Sequence, residues 1–444
     1  MEKKWADLSP EEKKEARLKT WLSASGVNFT SQEAYKLYQE RVTRLINVIN
    51  LKEPDRVPVV LHVGFFPVYY GGITPETAMY DYEALSKVWH SFLNDFEMDT
   101  YSGPRTIGSG KVFEILDYKL YKWPGHGASP DSSYQCIEDE YMKEDEYDDL
   151  IRDPSDFWMR VYLPRIFKAL EPFMKLSPFT DIIEMPSTIP VLVPYGRPDI
   201  QTAFQALLDT GKEALKWSAI IDGIDREALE SGIPSFRGGM AKAPFDTIGD
   251  TLRGTTGIML DMYRRPEKLL KAIERLIPIE IARGVSAANA SGNPIIFMPL
   301  HKGADGFMSD RQFQRFYWPS LREVILGLNA EGIMPLLFAE GGYNTRLEVI
   351  KELPKCSVIW YFDQTDIFKA KEIIGDTACI MGNVPSSLLL TGTRENVMDH
   401  CRKLIEVVGK GGGYILSNGA VIDNAIPDNL RAMMATAQEY GVYL

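Results

Sequence analysis

Short apolar runs alternate with amphipathic stretches through most of the chain. We predict buried strands at residues 57–63, 294–298, 333–338, 358–362, 378–381 and 414–416. Apolar positions recur at helical spacing in the stretches 309–329, 343–353, 367–374 and 393–408. Because strands joined by crossover helices run parallel and are buried on both faces, the pattern predicts an α/β protein, either a barrel or a doubly wound sheet.

The first fifty residues have a different pattern. Ser9 followed by Pro10 is typical of a helix start, and a second helix is predicted over residues 31–50. We therefore expect a helical extension over residues 1–50 and a barrel domain over residues 51–444. The part at about 105–235 is irregular and acidic, with one candidate strand at 181–184, and we interpret it as an insertion in the first half of the barrel.

Composition narrows the classes of partner. The 444 residues carry a net charge of −12, which argues against nucleic acid or an anionic membrane as the main partner. The four cysteines form no CxxC pair, the N-terminus has no hydrophobic signal segment, and no apolar stretch approaches a membrane span. We expect a cytoplasmic protein that acts on a small molecule or a protein partner.

Ordered motifs near the C-terminus carry a family resemblance. The turn Gly382-Asn383-Val384-Pro385 and the strand that follows Gly411-Gly412-Gly413 resemble the last two strand–loop units of the uroporphyrinogen decarboxylase superfamily. Further similar segments extend the resemblance from about residue 40 to the C-terminus. The resemblance implies a (β/α)8 TIM barrel whose site lies at the C-terminal ends of the strands.

The segment after the first strand argues against porphyrin decarboxylation. Decarboxylases of this superfamily carry arginines there, which pair with the carboxylates of the substrate. Residues 62–70 of this chain contain no arginine and are mostly aromatic. We expect a substrate pocket lined by His62, Phe65, Phe66, Tyr69, Tyr70 and Tyr101, although core packing explains such aromatic residues equally well.

The superfamily's methyltransferase branch offers another function. Its thiol-methylating members bind zinc through His-x-Cys after strand five and a cysteine after strand eight. Here all three ligands are missing, and Glu340 falls at the second position of the His-x-Cys pair. The chain is similar to the first methyltransferase of aromatic O-demethylase systems, which use mixed carboxylate, histidine and cysteine ligands.

That similarity implies a catalytic and metal-binding set at the strand ends. Glu340 and His301 are the first candidates for zinc ligands, completed by Asp363 or Cys379. Asp363 is also placed to cap a helix, and Cys379 to act as a small buried hydrophobe. The implied reaction moves a methyl group from a methyl ether, in particular a methoxylated aromatic, to a corrinoid carried by a partner protein.

Several alternatives stay open at this point. The enzyme could be a methylamine- or folate-linked corrinoid methyltransferase, with a methylamine as donor or a folate as acceptor. It could also be a decarboxylase or lyase for a non-porphyrin substrate, using Arg105, Arg237 or Arg253. A non-catalytic binding role is the third class. Both monomers and homodimers occur in the superfamily.

Overall fold

A parallel seven-stranded sheet forms the centre of the molecule. The computed structural model describes residues 3–443. Its strands are β1 Val59–Val60, β2 Tyr121–Pro124, β3 Gly127–Ala128, β4 Gln135–Cys136, β5 Gly239–Met240, β6 Ile295–Leu300, β7 Met334–Ala339, β8 Ile359–Phe362, β9 Cys379–Val384 and β10 Tyr414–Asn418. The order in the large sheet is β1-β10-β9-β8-β7-β6-β5, while β3-β2-β4 form a small separate sheet.

An extended segment around Tyr101 closes the large sheet into a barrel. Asp99 donates its N–H to the carbonyl of Val59 in β1, at 3.2 Å. Tyr101 forms a parallel bridge with Ser235, just before β5. The segment therefore occupies the position between β1 and β5 that the sheet leaves open, and the predicted (β/α)8 barrel is confirmed.

Alternate strand residues face the inside and the outside of the barrel. Phe297 of β6, Phe338 of β7, and Tyr361 of β8 share one buried cluster in the barrel interior. Their strand neighbours, such as Met298 and Leu337, belong to the cluster that packs under the surrounding helices. This two-residue alternation also directs the residues just beyond the strands, and so places the side chains at the barrel mouth.

The helices are α1 Pro10–Ser23, α2 Gln32–Ile49, α3 Phe66–Tyr70, α4 Pro75–Tyr80, α5 Tyr82–Asp95, α6 Gly110–Leu116, α7 Tyr147–Arg152, α8 Pro154–Phe157, α9 Leu163–Ile166, α10 Met185–Leu192, α11 Pro198–Glu230, α12 Pro244–Asp246, α13 Gly254–Arg264, α14 Pro266–Ser291, α15 Asp310–Gln312, α16 Trp318–Ala330, α17 Leu347–Ile350, α18 Ile367–Ile374, α19 Ser386–Thr391, α20 Arg394–Val407 and α21 Pro427–Tyr440. Short π-helical turns are found at Trp158–Tyr162, Thr247–Leu252 and Phe313–Tyr317, and 3-10 turns at Trp5–Asp7, Pro104–Thr106, Lys168–Lys175, Phe179–Asp181 and Val193–Gly196.

Helices α1 and α2 cover the N-terminal end of the barrel. Tyr38, Val42 and Leu45 of α2 pack in the same cluster as the inward residues of the strands. Helix α1 is held over the barrel by Lys13, whose ammonium pairs with Glu331 at 2.7 Å. The open end of the barrel is therefore the C-terminal end of its strands.

The insertion between the Tyr101 segment and β5 contains the long helix α11 and several short turns. The predicted strand at 181–184 is wrong, because a 3-10 turn at Phe179–Asp181 leads there into α10. Ile183 is 79% exposed, so the apolar residues that suggested a buried strand lie at the surface. Among residues 3–443, no helix is both long and apolar enough to cross a lipid bilayer.

Candidate active site

His301 stands at the barrel mouth between two carboxylates. It directly follows β6, at an inward position two residues beyond Pro299. Its Nδ1 lies 2.6 Å from Oδ2 of Asp250, and its Nε2 lies 3.5 Å from Oε1 of Glu340. Glu340 directly follows β7, so strand alternation places these two predicted site residues side by side.

The helical turn after β5 supplies the support beneath this histidine. Asp246 ends α12 and is fully buried. It accepts hydrogen bonds from the backbone N–H groups of His301 and Lys302, at 3.1 and 3.0 Å, and from the hydroxyl of Tyr317 at 2.7 Å. Asp246 thereby fixes the turn that carries the imidazole.

The carboxylates determine the protonation of the histidine. Burial alone would lower the pKa of His301, but its hydrogen bonds to Asp250 and Glu340 outweigh burial and raise the pKa to about 10. Burial would likewise raise the pKa of Asp250, yet His301 and Lys242 lower it to about 2. The pair is an imidazolium bound to a carboxylate at neutral pH.

Two lysines add positive charge to the same carboxylate. Lys242 Nζ lies 2.9 Å from Oδ2 of Asp250, and Lys302 Nζ lies 3.6 Å from Oδ1. Lys302 also donates to the hydroxyl of Thr255, at 2.6 Å. Asp250 is therefore surrounded by three cationic groups and is held in place to orient His301.

Asp363 lies at the end of the neighbouring strand β8. Its Oδ2 accepts a hydrogen bond from the N–H of Gly341 at 3.1 Å, which ties it to the residue after Glu340. Burial raises the pKa of Asp363, and the nearby Glu340 carboxylate raises it further. Asp363 does not cap α18, because Asp366 accepts the hydrogen bonds of that helix start.

His62 lies inside the barrel, beneath this cluster. Its ring centre is 5.4 to 5.7 Å from the ring centres of Phe297, Phe338 and Tyr361. Burial, together with the nearby Arg237, lowers the pKa of His62 to about 3, so the imidazole is neutral. Its Nδ1 is buried without a hydrogen-bond partner among the described residues.

Cys379, the fourth predicted metal ligand, does not lie at the barrel mouth. Cys379 begins β9 and is buried at the end of the barrel that lies opposite Glu340, so the structure does not bring it to the mouth. Burial raises the pKa of its thiol, as expected for a small buried hydrophobe.

The predicted pocket aromatics divide into two groups. Phe66 and Tyr70 stack on one another and pack against Phe96, and Tyr101 packs on Trp89 of α5, so these three belong to the helix layer instead of a pocket. Phe65 lies against Tyr134 of the insertion. Tyr69 donates its hydroxyl hydrogen to the carbonyl of Asp131, also in the insertion. Phe65 and Tyr69 thus lie where the insertion meets the loop after β1.

Sequence reasoning missed Asp246 and Asp250. The two carboxylates are spaced four residues apart in the helical turn that follows β5, which puts both on one face of that turn. That spacing was visible in the sequence and would have placed two acids next to the mouth. Their pairing with His301 depends on the adjacency of β5 and β6, which only the fold provides.

The donor set at the mouth is chemically suitable for zinc. Imidazole nitrogen and carboxylate oxygen are common zinc ligands, and a carboxylate on the other ring nitrogen, as Asp250 is on His301, typically orients a zinc-bound histidine. Within the described part of the chain, however, no three ligating side chains already stand close enough to form a complete site. The chemistry of His301 and Glu340, whose Nε2 and Oε1 lie 3.5 Å apart, is suitable for zinc, but Asp363 would have to move closer to serve as a third ligand.

Comparisons with known proteins agree with the barrel. The family model "Uroporphyrinogen decarboxylase (URO-D)" matches residues 205–440. The chain is 22% identical to uroporphyrinogen decarboxylase of Coxiella burnetii, over 60% of this chain and 76% of that protein. It is 23% identical to the enzyme of Neisseria gonorrhoeae, over 59% of this chain and 77% of that protein.

A solved structure extends the fold match to nearly the whole chain. A methyltransferase from Methanosarcina mazei superposes with a TM-score of 0.58 and 16% identity, covering 91% of this chain and 98% of that one. At this identity the match concerns the fold alone. Since the family model covers more than half of the sequence, the chain belongs to the uroporphyrinogen decarboxylase (URO-D) family.

Proposed function

We propose that this chain is a methyltransferase that takes the methyl group of an aromatic methyl ether and passes it to the cobalt of a corrinoid protein. The observation that carries the proposal is His301, held between Asp250 and Glu340 at the mouth of the barrel. The fold shared with a protein described as a methyltransferase supports it. A family barrel whose first loop lacks the decarboxylase arginines supports it as well.

The chemistry requires help for the leaving group. A phenolate leaves with the electron pair of the broken methyl–oxygen bond, and its conjugate acid has a pKa near ~10. A positively charged or Lewis-acidic group at the ether oxygen stabilises that developing charge. His301 presents Nε2 towards Glu340 at the mouth, where it can hold such a group or supply a proton itself.

Zinc is the metal that we propose for this position. When bound by His301 and Glu340, with Asp363 as third ligand, it would supply Lewis-acid polarisation of the ether oxygen. Asp250 orients the imidazole through Nδ1, and Asp246 anchors the backbone that carries it. Binding of the metal displaces the proton from Nε2, so zinc affinity should increase with pH.

Decarboxylation or another lyase reaction is the second candidate. It needs arginines free to bind substrate carboxylates, but Arg105 pairs with Asp222 and Asp225. Arg253 pairs with Asp261 inside the protein. Of the three candidates from the sequence, only Arg237 stays free of an ion pair among residues 3–443, and one arginine does not match a tetra-acidic porphyrinogen.

A methyl-transfer assay with a metal measurement tests the proposal. The purified protein is incubated with a panel of methoxybenzenes and with cob(I)alamin as acceptor, and methylcobalamin formation is followed by absorbance. We expect transfer from at least one methoxybenzene and about one zinc per chain. His301→Ala should reduce the rate by ~100-fold or more and remove the zinc, because it deletes both a ligand and the oriented imidazole.

His90→Ala is the matched control, since His90 is an exposed histidine that also pairs with a glutamate, Glu227. It should retain both activity and zinc. Absence of transfer from every methoxybenzene, with cob(I)alamin and with a corrinoid protein, would overturn the proposed function. Full activity in a zinc-free preparation would leave His301 as a proton donor and remove the metal from the proposal.

A further inference from the structure

A cavity lies at the N-terminal end of the barrel, on the side opposite the mouth. Its volume is about 340 Å³, and it is bounded by α1, by the C-terminal end of α16 and by the segments that precede β7 and β8. Cavities of this size are typical of small-molecule sites. His301, Asp250 and Glu340 do not line it, so this cavity is separate from the candidate active site.

Lys14 of α1 places a half-buried cation at this cavity. Its ammonium donates one hydrogen bond, to the carbonyl of Cys356 at 2.9 Å. In the part of the chain that the structure describes, Lys14 forms no ion pair, whereas its neighbour Lys13 is paired with Glu331. Burial lowers the pKa of the Lys14 ammonium, which reflects its partial loss of hydration. Because an ammonium has three donors, two of them remain for a ligand.

Two buried polar atoms in the wall of the cavity also lack a partner. Ser357 is only 6% exposed, and its hydroxyl forms no hydrogen bond within residues 3–443. The side-chain amide of Asn329 donates to the carbonyls of Ile333 and Ser357, at 3.0 and 2.8 Å, but its Oδ1 accepts no hydrogen bond from these residues. Since an unpaired buried polar group costs free energy, both atoms are suited to bind a ligand that enters the cavity.

One short segment holds these groups close together. Lys14 binds the carbonyl of Cys356, and Asn329 binds the carbonyl of the next residue, Ser357. Neighbouring Cα atoms are ~3.8 Å apart, so a ligand with polar groups on adjacent atoms can reach both side chains. A cation with free donors selects an anion, whereas the free oxygen of Asn329 selects an O–H or N–H donor.

The remaining wall of the cavity is largely apolar, and its charge is positive. Leu326 and Met334 are among the apolar residues that line it. Lys14 and Lys355 contribute two positive charges against the one negative charge of Glu11, in a protein whose net charge is −12. This combination favours a small anion that also carries an apolar group.

We propose that this cavity binds a small 2-hydroxy carboxylate with a branched apolar side chain. The carboxylate pairs with Lys14 and accepts a hydrogen bond from the Ser357 hydroxyl, which turns towards it by rotation about one bond. The 2-hydroxyl donates to Oδ1 of Asn329. Because Lys14 belongs to α1 and the other two residues to the barrel, the bound acid joins α1 to the barrel. This site does not depend on the proposed methyl transfer.

Calorimetric titration of the full chain, without metal or corrinoid, tests the site. The probe is 2-hydroxy-4-methylpentanoate. Its counterparts are 2-hydroxy-4-methylpentanamide, which lacks the charge, and 4-methylpentanoate, which lacks the hydroxyl. We expect the wild type to bind the hydroxy acid ~10-fold more tightly than either counterpart, which corresponds to one net hydrogen bond or ion pair.

Two variants assign these preferences to residues. Lys14→Met should remove the preference for the acid over the amide and leave the affinity for the amide unchanged. Ser357→Ala should weaken binding of the hydroxy acid by ~5-fold without lowering the stability of the protein, because its hydroxyl has no partner there to lose. Lys19→Met is the matched control, since Lys19 is an exposed lysine of the same helix that does not line the cavity. It should keep both preferences.

The wild type alone can overturn the proposal. Equal affinity for the three compounds would do so, as would no detectable binding of the hydroxy acid at ~10 mM, a concentration well above a millimolar Kd. A preference for the acid over the amide that survives in Lys14→Met would also overturn it, because the anion would then be bound elsewhere.

Discussion

The central residue of the site is a histidine whose charge is set by its neighbours. His301 is bound through both ring nitrogens to carboxylates, and Asp250 is in turn bound by two lysines. This arrangement allows one imidazole to be a cation without metal, or a ligand when a metal replaces its proton. The same two carboxylates serve either state.

The raised pKa of His301 makes part of the stability dependent on pH. Its folded-state pKa of about 10 lies above the ordinary 6.5, so the folded protein binds this proton more tightly than the unfolded chain. The stabilisation is complete below pH 6.5 and is lost as the pH rises to about 10. We predict that the wild type loses stability over this interval relative to His301→Gln.

Urea denaturation of the metal-free proteins at several pH values measures the difference in unfolding free energy between the wild type and His301→Gln. The wild type should be more stable than the variant near pH 6, and the difference should shrink towards pH 10. His90→Gln controls for the loss of an exposed histidine. A difference between wild type and His301→Gln that is the same at both ends of the range would contradict the assignment.

At the scale of elements, the strands were predictable to within a few residues, because continuous apolar runs are what a strand buried on both faces requires. The helix predicted over 367–374 is observed as Ile367–Ile374. The helix predicted over 343–353 is reduced to Leu347–Ile350, because its first residues form the loop that binds Asp305 and Asp310.

The site was predictable only in part. Glu340, His301 and Asp363 follow strands, and strand ends converge in a barrel whatever the details of its loops. Cys379 was misplaced because it begins its strand, and the direction of a strand decides which end of the barrel a residue reaches. Asp246 and Asp250 act through contacts between elements that sequence spacing does not reveal.

One glycine controls the contact of α1 with the barrel. Gly332 has φ +71°, and a Cβ there would lie 2.5 Å from the carbonyl carbon of Lys13 and the nitrogen of Lys14. Gly292 also has φ +71°, but a Cβ there would meet no atom within 4 Å. An alanine would suffer the same backbone strain at both positions, but only at Gly332 would its Cβ also collide with α1.

We predict that Gly332→Ala destabilises the protein by ~2 kcal/mol or more, and Gly292→Ala by about 1 kcal/mol. The additional loss at Gly332 comes from displacement of α1. Thermal and urea unfolding measure both variants. Equal losses would show that α1 can move away from Gly332 without cost.

At the scale of the whole molecule, the helical extension and the barrel share one core. Tyr38, Val42 and Leu45 of α2 lie in the cluster that fills the barrel interior. Arg44 of α2 pairs with the fully buried Asp99, which also binds Arg56 and the N–H of Val59. The extension therefore covers the barrel floor and holds the segment that closes the sheet.

We predict that a chain starting at residue 51 does not form a stable barrel. Removing α2 would expose apolar floor residues and leave the buried Asp99 with Arg56 as its remaining ion-pair partner. Scanning calorimetry and light scattering should show no cooperative transition and extensive aggregation. A chain that lacks only residues 1–8 is the control, and it should unfold cooperatively; a stable 51–444 barrel would contradict the shared core.

The large insertion has a consequence for the order in which the chain folds. From β5 to β10 each strand pairs with the next one along the chain, whereas Tyr101 pairs with Ser235 and Val60 with Ser417. Closing long loops is entropically costly, so sequence-local pairings form faster than distant ones. During synthesis β1 can pair early with the segment at Asp99, but its other edge stays unpaired until β10 has left the ribosome, and this interval exposes the chain to aggregation.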